Sequence, residues 1–219
     1  MAIQIANIYE PVQQELRQVE DTLRRMRHDD NFPLLSELLG YVLDAPGKRL
    51  RPVITLLSFR FHPHDPKLAI LMAAAVEMLH VATLVHDDTI DKTSFRRGRP
   101  TVSDRWGKDV AVLLGDYLFS KAVALVCDVV DIRVVRLFSE TIMALSAGEL
   151  REFMSSYDPD LGRDQYWKRI KDKTASLFSA ATESAGVLSG APENQIQALK
   201  SYGLKLGMAF QVVDDILDF

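Results

Sequence analysis

Apolar residues in this chain recur every three or four positions over long distances, and that spacing constrains the fold more than anything else in the sequence. Over residues 3–28, Ile8, Val12, Leu16, Val19, Leu23 and Met26 form one stripe, as on a helix with one buried face. Pro11 breaks or kinks its start. A second helix is expected from Phe32 to Leu43, with Pro33 in its first turn. A short apolar helix follows from Leu50 to Phe61, ended by His62-Pro63. Asp65-Pro66 reads as an N-cap followed by proline at the first helical position, opening a long helix to about Asp91. Residues 92–102 form a basic loop. Helices are expected over 108–127, 131–155 and 164–189, the last closed by Gly190 with Pro192 beyond it. A final helix runs from about Pro192 to the end of the chain. Alternating runs are few and Asn-Gly turns are missing, so strands are not expected. The fold class is therefore all-α: one domain over 1–219, a helical bundle with a substantial core.

Two acidic clusters end apolar stretches of this bundle. His86-Asp87-Asp88-Thr89-Ile90-Asp91 follows Val76 to Val85, and Asp214-Asp215-Ile216-Leu217-Asp218 follows Leu204 to Val213. In a helix, the first and last aspartates of each cluster stand one turn apart on one face. A helix C-terminus carries partial negative charge, so carboxylates gathered there call for a cation. Their hard oxygens suit Mg²⁺, which keeps waters and shares its shell with substrate phosphates. One such run alone is as often a solvated cap. Two copies facing each other would make a cavity for magnesium and a diphosphate.

Basic groups complement the acids. Lys48, Arg49 and Arg51 lie at a helix start, where the dipole also favours an anion. His80 lies two turns before Asp87 on the same helix face. Arg96 and Arg97 follow the first cluster, and arginine suits bidentate phosphate contact. Lys173-Thr174 falls inside an amphipathic helix. Each group alone is commonly surface charge or a lining residue; together they suit one diphosphate on metal and another on cations.

The net charge of −4 argues against nucleic acid as a partner. The single cysteine, Cys127, lies in the apolar run Ala122 to Val130 and is expected to be a buried thiol in a reducing compartment. No signal peptide is evident at the N-terminus. No stretch of 18 or more residues reads as a membrane span; the best candidate, Val110 to Val126, is interrupted by Asp116 and Lys121. A cytoplasmic protein without a transmembrane segment is expected.

Taken together, Gly47-Lys48-Arg49-Leu50-Arg51-Pro52, Glu77-Met78-Leu79-His80, the first acidic cluster with Arg96-Arg97-Gly98-Arg99-Pro100-Thr101, Lys173-Thr174-Ala175-Ser176-Leu177, and Gly207 to Phe219 closely resemble the trans-polyprenyl diphosphate synthases. The resemblance runs in the family's order from about Pro46 to Phe219 and includes Trp106-Gly107, Gly115-Asp116-Tyr117-Leu118 and Gly148-Glu149. It implies the isoprenoid-synthase helical bundle with a central cavity. Because the chain stops one residue after the second cluster, it reads as lacking the family's C-terminal helices.

The resemblance implies that Asp87, Asp88, Asp91, Asp214, Asp215 and Asp218 hold Mg²⁺, about three ions per active site with Mn²⁺ as an alternative, on an allylic diphosphate. Arg96 and Lys173 would contact that diphosphate. Lys48, Arg51, His80 and Arg97 would bind isopentenyl diphosphate. Thr174 and Gln211 would line the site and help accept charge or protons. The family usually forms homodimers, here through 108–127 and 131–150. Chain length in the family is set by residues just upstream of the first cluster. Ala82 and Thr83 stand there, with Met78 and Leu79 one turn back and Ala74 and Ala75 beyond, so the tunnel floor is open and a product longer than farnesyl is expected. Two departures stand out: Pro46 replaces a common second glycine, and Glu152 replaces a common glutamine. The competing readings are a non-catalytic or regulatory subunit of a heteromeric synthase, a terpene cyclase, and a structural bundle. Intact clusters and cations disfavour all three.

Overall fold

The computed structural model describes residues 5–155 and 162–217. The chain divides into two compact units, Met1–Val53 with Ile70–Val129, and Ile54–Ala69 with Val130–Phe219. As expected, almost every element is helical.

The first unit opens with α1 (Ile5–Tyr9), a 3-10 turn (Glu10–Val12) and α2 (Gln13–Arg25). The helix expected over 3–28 is thus divided at Pro11, which lacks an N–H and whose ring clashes with the carbonyl one turn back. Val12, Val19 and Leu23 of the expected stripe are buried, while Ile8 is exposed. α3 (Pro33–Leu43) starts on its proline. α4 (Leu50–Phe59) begins just after Lys48 and Arg49, and the chain belongs to the second unit from Ile54 to Ala69. α5 (Pro66–Ile90) has the expected cap: the Lys67 N–H donates to Asp65 Oδ1 at 2.8 Å.

Met72 to Val76, Met78, Leu79, Val81, Ala82 and Val85 of α5 are all buried. A helix apolar all round belongs in a core or a bilayer. By length and composition α5 is apolar enough to cross a membrane, and so is α7 (Lys108–Cys127). This corrects the expectation that no such stretch exists, which gave interrupting charges too much weight. In α5 the charge is internalised: Glu77 is buried and bonded to Arg49. Of the most apolar window, 67% is buried in α5 and 39% in α7.

The basic loop contains structure that was not expected. Phe95–Arg96 (β1) pairs antiparallel with Arg99–Pro100 (β2). Arg97 and Gly98, with φ of 51° and 76°, make the turn, and positive φ at both centres is the hairpin geometry that matches strand twist. α6 (Val102–Trp106) follows, capped by Thr101 Oγ1 accepting from Asp104 N–H at 3.2 Å. Cys127, expected to be buried, is exposed. The buried stripe of α7 is Ala111, Leu114, Leu118, Ala122, Leu125 and Val126, and the last residue turns past it.

The second unit holds α8 (Ile132–Ser155), α9 (Arg163–Ile170), a π turn (Lys171–Ala175), α10 (Ser176–Leu188) and α11 (Glu193–Leu217). Gly190 closes α10 as expected, with φ of 66°. Leu177 through Gly186 are buried without exception, so α10 is the centre of the unit. α11 lies close on it through glycines. A Cβ at Gly203 would stand 2.5 Å from the Phe178 carbonyl oxygen. That approach brings Thr182 Oγ1 to donate to the Leu199 carbonyl at 2.7 Å. Buried Glu183 is matched by Lys200 Nζ at 3.1 Å.

Candidate active site

The first unit places its basic and acidic groups around one cavity. Asp88, Arg96, Arg97, His80, Arg49 and Arg99 line it, with Val81, Leu84 and Val85 as an apolar wall. The backbone builds it at two points. α5 ends on the first cluster, where Asp91 N–H donates to the Asp87 carbonyl at 2.8 Å and Thr93 N–H to Asp88 at 2.9 Å. This closes the last turn with Lys92 at φ 54°, a place usually taken by glycine. The hairpin then returns Arg96 to Asp88, Nε to Oδ1 at 2.6 Å. Burial pushes the Asp88 carboxyl above its ordinary value, against the pull of Arg96. Acid and base thus meet in direct contact at the first cluster.

His80 sits two turns back, as expected. Arg51 Nη1 is 3.1 Å from His80 Nε2. Guanidinium has donors only, so Nε2 accepts and the ring proton lies on Nδ1. Burial holds His80 well below its ordinary pKa, reinforced by Arg51, Arg97, Arg96 and Arg49. The sign follows: the unfolded chain takes up a proton that the folded chain refuses, so this group costs stability as pH falls below the ordinary histidine range and costs nothing above it. His80→Gln is expected to flatten that part of the stability–pH curve in urea melts. An unchanged difference from the parent between pH 7.5 and pH 5 would defeat the assignment.

Arg97 carries a left-handed backbone and donates to the Pro46 carbonyl at 2.5 Å. Lys48 is exposed on a neighbouring cavity with Tyr9 and Gln13, and its carbonyl accepts from Tyr9 Oη at 2.5 Å. Arg49, to which no role was assigned, donates to Glu77 at 2.7 Å and to the Leu43 carbonyl at 2.8 Å. Arg99 was also unassigned; its guanidinium lies 4.2 Å over the Tyr41 ring. Met78, Leu79 and Ala82 are fully buried in α5, and Thr83 is half-buried.

In the second unit the π turn and α11 bring Lys173, Thr174, Gln211 and Asp215 together. Thr174 Oγ1 donates to Gln211 Oε1 at 2.6 Å, and Gln211 Nε2 donates to Asp215 Oδ1 at 2.7 Å. Because the amide must donate to the carboxylate, its oxygen faces the threonine. Tyr166 Oη donates to Asp215 Oδ2 at 2.8 Å. Sequence reasoning missed Tyr166, since nothing local ties it to a residue 49 positions away. Lys173 Nζ lies 3.0 Å from Glu149 and bonds to Glu152. Burial alone would lower its pKa, but the two carboxylates prevail and hold it well above the ordinary value. Gly148 makes this approach possible, because a Cβ there would lie 2.9 Å from the Lys173 nitrogen. Asp214 is exposed. Asp218 lies outside the described residues.

The donor set fits magnesium. Among the described residues no three His, Cys, Asp or Glu side chains form a ready cage, and Mg²⁺ does not need one, taking one or two carboxylates with waters and phosphate. Each carboxylate oxygen offers two acceptor sites, so Asp88 and Asp215 keep capacity beyond the bonds above.

The polyprenyl synthetase family model matches residues 32–219. A prenyl transferase of Synechocystis is 39% identical over 223 residues, covering 99% of this chain and 68% of that protein. The crystal structure of a decaprenyl diphosphate synthase from Rhodobacter capsulatus superposes with a TM-score of 0.94 at 37% identity, covering 98% of this chain and 66% of that one. A polyprenyl synthase from Caulobacter crescentus, complexed with calcium and isoprenyl diphosphate, has a TM-score of 0.93 at 33% identity, covering 98% and 65%. The chain belongs to the polyprenyl synthetase family. It spans 57–68% of the length of the curated relatives it matches.

Proposed function

We propose that the protein is a magnesium-dependent trans-prenyltransferase that joins isopentenyl diphosphate head-to-tail to an allylic diphosphate. The observation that carries this reading is the Asp88–Arg96 contact on the wall of a cavity that also holds His80 and Arg97. A carboxylate for a metal, Asp88, and cations for a diphosphate thus share one wall. By the family resemblance Asp87, Asp88 and Asp91 would hold Mg²⁺, as would Asp214, Asp215 and Asp218, about three ions in all. Mg²⁺, or Mn²⁺ in its place, supplies charge neutralisation for the departing diphosphate.

The chain's own residues do the rest. Arg96 and Lys173 grip the allylic diphosphate, whose C–O bond breaks. Lys48, Arg51 and Arg97 hold isopentenyl diphosphate, and neutral His80 offers its Nδ1 proton as a further donor. The double bond of isopentenyl diphosphate attacks the allylic carbon, one C–C bond forms, and the proton is lost to the released diphosphate. Val81, Leu84 and Val85 keep water from the cation. Thr174 fixes the Gln211 amide so that it donates to Asp215.

A product beyond farnesyl is supported by the alanines at 74, 75 and 82, and by the decaprenyl synthase among the similar structures. Ala82→Phe is expected to shorten the product by one or more isoprene units; an unchanged chain length in a folded variant would refute the tunnel. Homodimer formation is supported by the exposed apolar side chains Leu113 on α7 and Met143 and Leu150 on α8. A cytoplasmic setting is supported by the burial of most of α5. The test of the activity is incubation with labelled isopentenyl diphosphate, Mg²⁺ and geranyl, farnesyl or geranylgeranyl diphosphate in turn. Products longer than farnesyl support the whole reading, a farnesyl-only product removes the tunnel, and no product from any primer favours a partner subunit of a heteromeric synthase.

A further inference from the structure

The residue proposed to grip the allylic diphosphate is already engaged. Lys173 Nζ stands 3.0 Å from Glu149 Oε2 and bonds to Glu152 Oε2. The two glutamates stand three residues apart on α8, which puts both on the face that meets the π turn. Gly148, beside them, leaves room for the Lys173 backbone, since a Cβ there would lie 2.9 Å from the Lys173 nitrogen. The π turn adds to the device. One inserted residue in a helix re-aims the side chains around it, and such turns recur at functional sites. Here it delivers Lys173 to the glutamates while Thr174 reaches Gln211.

Neighbouring cations join the network around Lys173. Arg169 Nη1 reaches Glu152 Oε1 only at 3.7 Å. Arg151 and Lys168 reach Asp172, at 2.6 and 3.4 Å. Two carboxylate groups beside one ammonium present anionic oxygens much as a diphosphate would. They also repel any diphosphate that approaches the same ammonium.

We infer that Glu149 and Glu152 act as a built-in anionic competitor for Lys173, so that the allylic diphosphate must take the ammonium from them, and that Glu152 weakens this protein's grip on diphosphate. This deepens the proposed function and rests on it. Glutamine at position 152 would still accept a hydrogen bond from Lys173 but would neither hold it by charge nor repel the ligand. Lys173, held above its ordinary pKa, remains charged throughout the neutral range. The exchange is therefore one of partners, not of protons.

The test is binding of inorganic diphosphate in the presence of Mg²⁺, followed by calorimetry, for the parent, Glu152→Gln and Glu149→Gln. Losing one carboxylate beside a partly exposed ammonium is expected to tighten binding about three- to tenfold in each variant. The KM for the allylic diphosphate should fall by a similar factor, while the KM for isopentenyl diphosphate stays where it was. If the glutamates merely tie α8 to the π turn, thermal stability drops and both constants stay unchanged, which overturns the inference. Binding by the parent with no tightening in either variant overturns it alone. A parent that fails to bind diphosphate with Mg²⁺ overturns the functional reading and this inference with it.

Discussion

Asp88→Asn is expected to lower prenyl transfer by about 10²- to 10³-fold, the usual cost of removing a preorganised group that stabilises developing charge. Asparagine fills the same volume, so the change isolates charge. In the parent, Asp88 is buried to 6% exposure at the end of α5 and accepts from Arg96 Nε at 2.6 Å. The variant leaves Asp87 and Asp91 in place but strips the site of a buried carboxylate. It also releases Arg96, whose side chain is 39% exposed and can turn to water. Stability should therefore change by about 1 kcal/mol or less, as for a partly solvated pair. The measurement is kcat at saturating substrates across a magnesium titration, with a urea melt alongside. A loss below tenfold, or a large loss explained by unfolding, would remove Asp88 from the proposed site. A higher magnesium requirement with an intact fold would support it.

Much of this arrangement is legible in the sequence because it is local. Asp65-Pro66 and Gly190 carry their own capping chemistry, and the structure starts α5 and ends α10 on them. Asp87 and Asp91 stand one turn apart because helical spacing requires it. What was not legible depends on tertiary contact or on strands too short for any pattern. Phe95–Arg96 and Arg99–Pro100 offer two residues each, below the length at which alternation can be read. Their turn uses Arg97 at positive φ where asparagine is the usual signal. The π turn leaves helical periodicity intact on both sides. Tyr166 becomes part of the site only when α11 carries Asp215 to it. Cys127 was misjudged because an apolar run does not say which face its last residue takes. In each case the missing information was which surfaces meet, and spacing along the chain does not hold it.

Glu77→Ala is expected to cost about 3–5 kcal/mol of stability, the largest loss anticipated from truncating any one side chain around the site. The reason is not that the Arg49–Glu77 pair is strong. Two charges were taken from water to make it, and a hydrophobic pair of the same volume could do as well. The cost comes from what remains. Arg49 and Glu77 side chains are 14% and 6% exposed and meet at 2.7 Å. Alanine at 77 leaves a guanidinium inside the fold with, among the described residues, the Leu43 carbonyl at 2.8 Å as its remaining hydrogen-bond acceptor. Arg49 also holds a left-handed backbone at φ 49°, so the pair fixes the bend from which α4 starts between Lys48 and Arg51. Glu77→Gln should cost less, because the amide oxygen can still accept from Arg49. The double variant Arg49→Met with Glu77→Leu should recover most of the stability lost by Glu77→Ala, yet bind diphosphate less well, since the bend would no longer be pinned. Urea denaturation of the single and double variants reads the first result, and diphosphate binding with Mg²⁺ reads the second. If stability returned together with full binding, the pair would be a packing element with no part in placing the cations. If stability returned without binding, Glu77 would be a positioning residue whose charge is kept for the site's geometry, at the expense of nothing the core requires.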